Sequence, residues 1–169
     1  MMPWNPLTNV TDGQTITSSV WNEQIRDNLN FLYGSFGTIA KNATPVSVPA
    51  SSNVSVTFDT EIFDNANAFS GPADFFTCQQ DGYYLLSSNF SWASAGSGER
   101  RVYFSTDFGN VPGGFLYYPL LRTSVLKSFL QVVAQFSEGD KIRLRVNHTV
   151  PATSINFEAT MSMMLLNGT

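Results

Sequence analysis

Gln80-Asp81-Gly82-Tyr83-Tyr84-Leu85-Leu86-Ser87-Ser88-Asn89-Phe90-Ser91-Trp92 is the stretch that decides the fold. Asp-Gly is a turn signal, because glycine takes the backbone angles a tight reversal needs. From Tyr83 onward the pattern has a period of two. Tyr84, Leu86, Phe90 and Trp92 fall on one face, and Ser87, Asn89 and Ser91 on the other. Only a strand with one buried face produces that alternation.

The same period recurs on both sides. Val54, Val56 and Phe58 alternate with small polar residues, and Phe75–Cys78 leads into the turn. Arg100–Thr106 follows the loop Ala95-Gly96-Ser97-Gly98. Leu126, Leu130, Val132, Ala134 and Phe136 mark the inward face of a further strand, and Ser137-Glu138-Gly139-Asp140 turns the chain into Ile142–Val146. The last strand is expected from about Ile155 to Leu166, where Phe157, Ala159, Met161, Met163 and Leu165 alternate with Glu158, Thr160, Ser162 and Met164. Phe108–Leu121, with Gly109, Pro112, Gly113, Gly114 and Pro119 among its aromatics, reads as a long ordered loop or an edge. About eight strands without a helix between them fit two packed antiparallel sheets, as a sandwich or jelly roll.

Ahead of this β-region, Pro3, Pro6 and Asp12-Gly13 suggest an extended arm over residues 1–17. A helix is expected next. Ser18 or Ser19 can cap it, and Trp21, Ile25, Leu29, Leu32 and Phe36 recur at spacings of four and three to form one apolar stripe. A helix of roughly 14 residues is marginal alone, so the stripe packs either on its own β-domain or on copies of itself or a larger assembly. The expected division is 1–40 for arm and helix, and 41–169 for the β-head.

Composition narrows the function. Hydrophobic residues make up 43% of the 169, charged residues 13% and aromatics 14%, with 14 Phe. The charged share is about half of what is usual. Part of the surface is therefore neutral-polar or covered by other chains, which points to an oligomer. A formal charge of −4 speaks against nucleic acid as a partner. Lys141, Arg143 and Arg145 alternate with Ile142, Leu144 and Val146, so they line a solvated or intersubunit face of one strand. No apolar run is long enough to cross a bilayer. Met1-Met2-Pro3-Trp4-Asn5-Pro6 lacks the features of a secretory signal, so synthesis and residence in the cytoplasm until assembly are expected.

Catalysis is not expected. His148 is the only histidine and Cys78 the only cysteine, which leaves no zinc set at standard spacing and no intrachain disulfide. No Gly-x-Ser-x-Gly turn or phosphate loop is present. Asp59, Glu61, Asp64 and Asp74 lie close in sequence, as paired carboxylates or a Ca²⁺ site would, but among Asn and Ser that read as surface connection. The expectation is a non-enzyme with no metal and no cofactor.

Three stretches, in order, resemble the jelly-roll family of tumour necrosis factor and the complement globular heads. They are Phe75–Leu86, with its strand, Gly82 and core-facing Tyr84; Phe136–Val146, with its Gly139-Asp140 turn into an alternating strand; and the apolar end Met163-Met164-Leu165-Leu166. The resemblance implies a homotrimer. Tyr83, Leu85, Tyr117, Tyr118 and Met164, opposite core positions or in the aromatic stretch, are the candidate trimer-interface residues, with core residence as the alternative for each.

Thr11–Leu32, containing Ile16-Thr17 and then Trp21-Asn22-Glu23-Gln24-Ile25-Arg26-Asp27-Asn28-Leu29, is similar to the leader of tailed-bacteriophage virion proteins. That resemblance implies a structural protein on the virion surface, made in the host cytoplasm. Its Trp21, Ile25, Leu29, Leu32 and Phe36 would anchor it to capsid or other virion proteins. Trimeric capsid decoration or a head fibre is the expected role. The alternative is a receptor-binding module of the tail or fibre tip, whose Phe108–Leu121 stretch meets a host glycan or protein.

Overall fold

The computed structural model describes residues 17–18, 37–121, 124–151 and 154–168, with the side chains of 120, 121, 167 and 168 left aside. The chain divides into two compact units, Met1–Phe36 and Gly37–Thr169. The expected helix and its stripe Trp21, Ile25, Leu29, Leu32 and Phe36 lie outside the described residues.

The second unit is built of antiparallel strands: β1 (Gly37–Lys41), β2 (Val46–Val48), β3 (Val54–Ser55), β4 (Thr60–Asp64), β5 (Phe76–Thr77), β6 (Gly82–Trp92), β7 (Gly98–Thr106), β8 (Gly109–Leu121), β9 (Leu126–Phe136), β10 (Lys141–His148) and β11 (Ile155–Gly168). One sheet has the order β4-β1-β11-β6-β9, with β2 also paired to β11. The other has the order β3-β10-β7-β8, with β5 also paired to β10. Because β1 begins at Gly37, the sheet starts ahead of the 40/41 boundary.

Alternation puts the expected residues between the sheets. In β6, Tyr84, Leu86, Phe90 and Trp92 are buried; they face Phe104, Leu144 and Val146 of the second sheet's inner set, which are also buried. Phe157 on β11 anchors the aromatic centre. Its ring meets Trp92 edge-on with centroids 4.8 Å apart and stacks on Phe90 at 5.7 Å. Toward the other end, Cys78 is buried with its Sγ 4.0 Å from the Met163 sulfur, and burial pushes its thiol up to about 12. That thiol is an inert core group, since only the thiolate is reactive.

Of the two readings open for Phe108–Leu121, a loop or an edge, the edge is the one found: Gly109–Leu121 forms the edge strand β8, paired along β7. An edge tolerates Pro112 and Pro119, because one side of the strand makes no ladder bonds. Gly113 takes a left-handed φ of 76°, and a Cβ there would meet Val132 of β9. Thr60–Asp64 is likewise a strand, not only a connection. It too is an edge, and its mostly exposed pattern erases the alternation that would reveal it.

The aromatic centre predicts a stability effect. Phe157→Ala is expected to lower unfolding free energy by about 3–5 kcal/mol, the usual cost of emptying a buried Phe site. Urea denaturation measures it, and a loss under about 1 kcal/mol would mean that the Phe157 ring is not central to the core.

Candidate functional site

The outer face of the first sheet follows from strand register. Leu85 on β6 stands opposite Met164 on β11 and opposite Val133 on β9, so these three form one apolar row across adjacent strands. Tyr83 lies two residues along from Leu85 on the same face. The next row is Ile39, Ser162, Ser87 and Gln131, and the one after it Lys41, Thr160, Asn89 and Phe129. Charge becomes dense only at the row Glu158, Ser91 and Lys127. Val133 is 53% exposed, Phe129 64%, Tyr83 45% and Met164 37%. Large apolar side chains grouped at this level of exposure make this face the candidate interaction surface.

The charged row borders an open depression of about 550 Å³. Lys41, Asn89, Ser91, Lys127, Glu158 and Thr160 are among its lining residues. Two ammonium groups and one carboxylate there give the face a polar rim beside its apolar part.

Solved structures of low sequence identity share this architecture. The globular domain of zebrafish complement 1qA protein is similar to 79% of this chain and 98% of its own, with 16% identity and a TM-score of 0.60. PRD1 vertex protein P5 is similar over 79% of this chain and 99% of its own, with 11% identity and a TM-score of 0.55. The β-unit has the complement-head jelly-roll fold. No family model matches the chain, and no curated protein sequence does.

On this jelly roll the candidate interface residues part company. Tyr83, Leu85 and Met164 are neighbours on the outer face of the first sheet. Tyr117 lies on the outer face of the second. It is 44% exposed, its hydroxyl donates to Glu99 Oε1 at 2.6 Å, and the Arg101 guanidinium sits 5.6 Å over its ring. The Tyr117 bond, and then Arg101, hold the Glu99 carboxyl below the usual carboxylate range. Tyr118 turns inward: its ring meets Phe90 edge-on at 6.5 Å and its hydroxyl lies 2.6 Å from Ser128 Oγ. It ties the edge strands β8 and β9 together. Val133 and Phe129, absent from the sequence reading, join the first group. Their alternation with Leu130 and Val132 along β9 is the signal that could have found them.

On the basic strand, Arg143 is paired within the molecule. Arg143 pairs with Asp74 at 3.5 Å and with Asp107, while Lys141 and Arg143 lie over the Phe75 ring at 4.7 and 5.5 Å.

The remaining chemistry is structural. His148 does not sit in a loop: it ends β10, fully buried, with Nε2 donating to the Val48 carbonyl at 2.7 Å and Nδ1 accepting from Val150 N–H at 3.2 Å. Both ring nitrogens are committed to backbone groups, so the side chain serves the packing at this end of the strand. The four acids serve different places. Asp64 accepts from the Ala68 and Phe69 amides, Asp74 faces Arg143, and Glu61 is exposed on an edge strand. Among the described residues, no group of three His, Cys, Asp or Glu could hold a metal ion.

Asp59 secures the turn after β1. It accepts from Ala43 N–H at 2.7 Å, from the Thr60 hydroxyl at 2.9 Å and from Thr44 N–H at 3.4 Å. These bonds, Ala43's foremost, hold its carboxyl below the ordinary Asp range. A carboxyl depressed in the folded state adds stability that is fully present above its unfolded pKa, about 3.9. That contribution is lost as pH falls through the folded value. Asp59→Asn should therefore unfold more readily than the parent at neutral pH, with the difference vanishing in acid below that range. Denaturant midpoints measured across pH test this, and a constant difference at all pH values would exclude a carboxylate role.

Proposed function

We propose that this protein is a structural component of a tailed-phage virion, a homotrimeric capsid-decoration or head-fibre protein held to the particle by its N-terminal segment. The observation that carries the reading is the neutral, partly apolar outer face of the first sheet, centred on Tyr83, Leu85, Val133 and Met164. Rows of Ser, Thr, Asn and Gln around that centre can be desolvated against another copy far more cheaply than charges can. Likeness in fold to PRD1 vertex protein P5, a phage virion protein, supports the particle setting. So does the leader-like stretch Thr11–Leu32. In this role the head projects from the shell, and Trp21, Ile25, Leu29, Leu32 and Phe36 supply the attachment stripe. Trimers that bridge neighbouring shell subunits add contact area and so resist their separation.

The self-association test uses Val133→Lys combined with Met164→Lys. Both positions are exposed, so thermal melts of the separated head should change little. Sedimentation should then report monomers where the parent sediments as a trimer. A parent chain that is itself monomeric, or a variant that stays trimeric, would rule out this face.

A truncation tests the anchor. Removing residues 1–36 should leave a folded trimer that no longer binds purified particles lacking the protein. Full occupancy by the truncated head would exclude attachment through the N-terminal segment.

The receptor-binding alternative rests on a different face. Phe115 and Tyr117 are exposed on the outer side of β8, held on a rigid strand beside Arg101. Aromatic rings presented in this way suit stacking on a sugar, and a host glycan is the partner that reading supplies. Tyr118 takes no part in it, since its ring is engaged with Phe90.

A further inference from the structure

One group on the inner face of the second sheet is not accounted for by its packing. In β7 the inward positions are Gly98, Arg100, Val102 and Phe104. Arg100 stands opposite His148 on β10 and Tyr118 on β8. It is fully buried, and none of Nε, Nη1 and Nη2 has a hydrogen-bond partner among the described residues. The Trp92 Nε1, also fully buried, lacks an acceptor as well. The Trp92 ring meets His148 edge-on at 5.9 Å, so both orphaned groups belong to the same end of the sandwich.

None of the neighbours is placed to answer this need. His148 has both nitrogens committed, and the Tyr118 hydroxyl is engaged with Ser128. Glu99, adjacent in sequence, points to the other face and holds Arg101 at 2.9 Å. A guanidinium does not lose its proton in a protein, so burial cannot be relieved by neutralisation. An unpaired buried charge is among the costliest features a fold can carry. Val150, itself buried, packs against Gly98 two residues from Arg100; a Cβ on Gly98 would lie 2.7 Å from Val150 atoms, so glycine is required for this approach.

We propose that the Arg100–Trp92 end of the inter-sheet space binds a small planar oxyanion, of which a monocarboxylate is the simplest form. Every unsatisfied group in this row is a donor, so the occupant must be an acceptor. The positive charge calls for an anion, and the guanidinium fork matches the two oxygens of a carboxylate. Full burial of Arg100 and Trp92 limits the occupant to a few heavy atoms. The site is separate from the outer face proposed for self-association and does not depend on it.

The test uses the full chain and formate as the probe, titrated against sodium fluoride at constant ionic strength and fixed protein concentration. The melting temperature of the parent should rise by about 3–6 °C for each tenfold of formate beyond half-saturation. Arg100→Met, which keeps length and removes charge, should melt at a temperature independent of formate. No formate dependence in the parent, or an equal dependence in Arg100→Met, overturns the proposal. If Arg100→Met does not fold, Trp92→Phe removes only the indole donor from the anion's side. It should need about tenfold more formate for the same rise, and an unchanged requirement overturns the proposal too.

Discussion

Strand β6 is hydrogen-bonded along its length on both sides, to β9 from Gly82 to Trp92 and to β11 over the same span. The rest of the first sheet depends on that double pairing. Because side chains alternate with a period of two, a slip of one residue would turn Tyr84, Leu86, Phe90 and Trp92 to solvent and bring Tyr83, Leu85 and three polar residues inside. The inner set is locked by the Phe157 ring against Trp92 and Phe90, so the slip would forfeit the densest aromatic contacts of the core. The same constraint fixes the outer surface. Once Leu86 faces inward, Leu85 must face outward, and Met164 and Val133 stand beside it by register. Core and candidate interface are two readings of one pairing.

The open side of the sandwich is held by a more local device. Edge strands β8 and β9 belong to different sheets, yet the Tyr118–Ser128 bond joins them. The bare backbone at Gly113 and Gly114 admits the Val132 side chain. This explains why two neighbouring tyrosines have opposite fates. Alternation sends Tyr118 inward as a strut and leaves Tyr117 outside, bonded to Glu99. Within a strand, sequence adjacency separates side chains; only residues two apart, or opposite in register, can cooperate in one surface.

What was legible in the sequence follows the same physics. Strands with one buried and one wet face, such as β6, β9 and β11, announce themselves by alternation, and their core residues were read nearly in full. The fold class followed from them. Edge strands were not legible in the same way. β4 is too exposed to alternate, and the glycines and prolines of β8 carry the signals of a loop although its backbone pairs fully with β7. β1 was masked because Ile39 and Ala40 follow directly on the apolar residues of the expected helix. At the candidate surface, Tyr83, Leu85 and Met164 were found by asking what lies opposite the core. Tyr117 and Tyr118 were grouped with them only because a loop reading carries no face information. Burial of His148 was invisible for a related reason: a strand's last residue looks like the first residue of the next loop. Arg100 was hidden too, since one arginine in an alternating strand gives no sign that it is the inward member.

The choice between the two outer faces as the self-association surface rests on desolvation. The second sheet's outer side carries Arg101 with Glu99, and Arg143 with Asp74 and Asp107, each paired within the chain and partly in contact with water. Covering such pairs removes hydration that their mutual attraction does not fully restore, and adds no new partner. Among the described residues, the first sheet's outer side has no comparable ionic network across the rows through Leu85 and Ser87. Its exposed groups are methyls, rings, hydroxyls and amides, for which burial is either favourable outright or offset by hydrogen bonds to an identical neighbour. With charged residues at only 13% of the chain, concentrating the ion pairs on one sheet leaves the other free to be buried. The charges that the first sheet does carry on this side, Lys41, Lys127 and Glu158, lie toward one end of it, beyond the apolar row through Leu85, so that row can be buried without desolvating them.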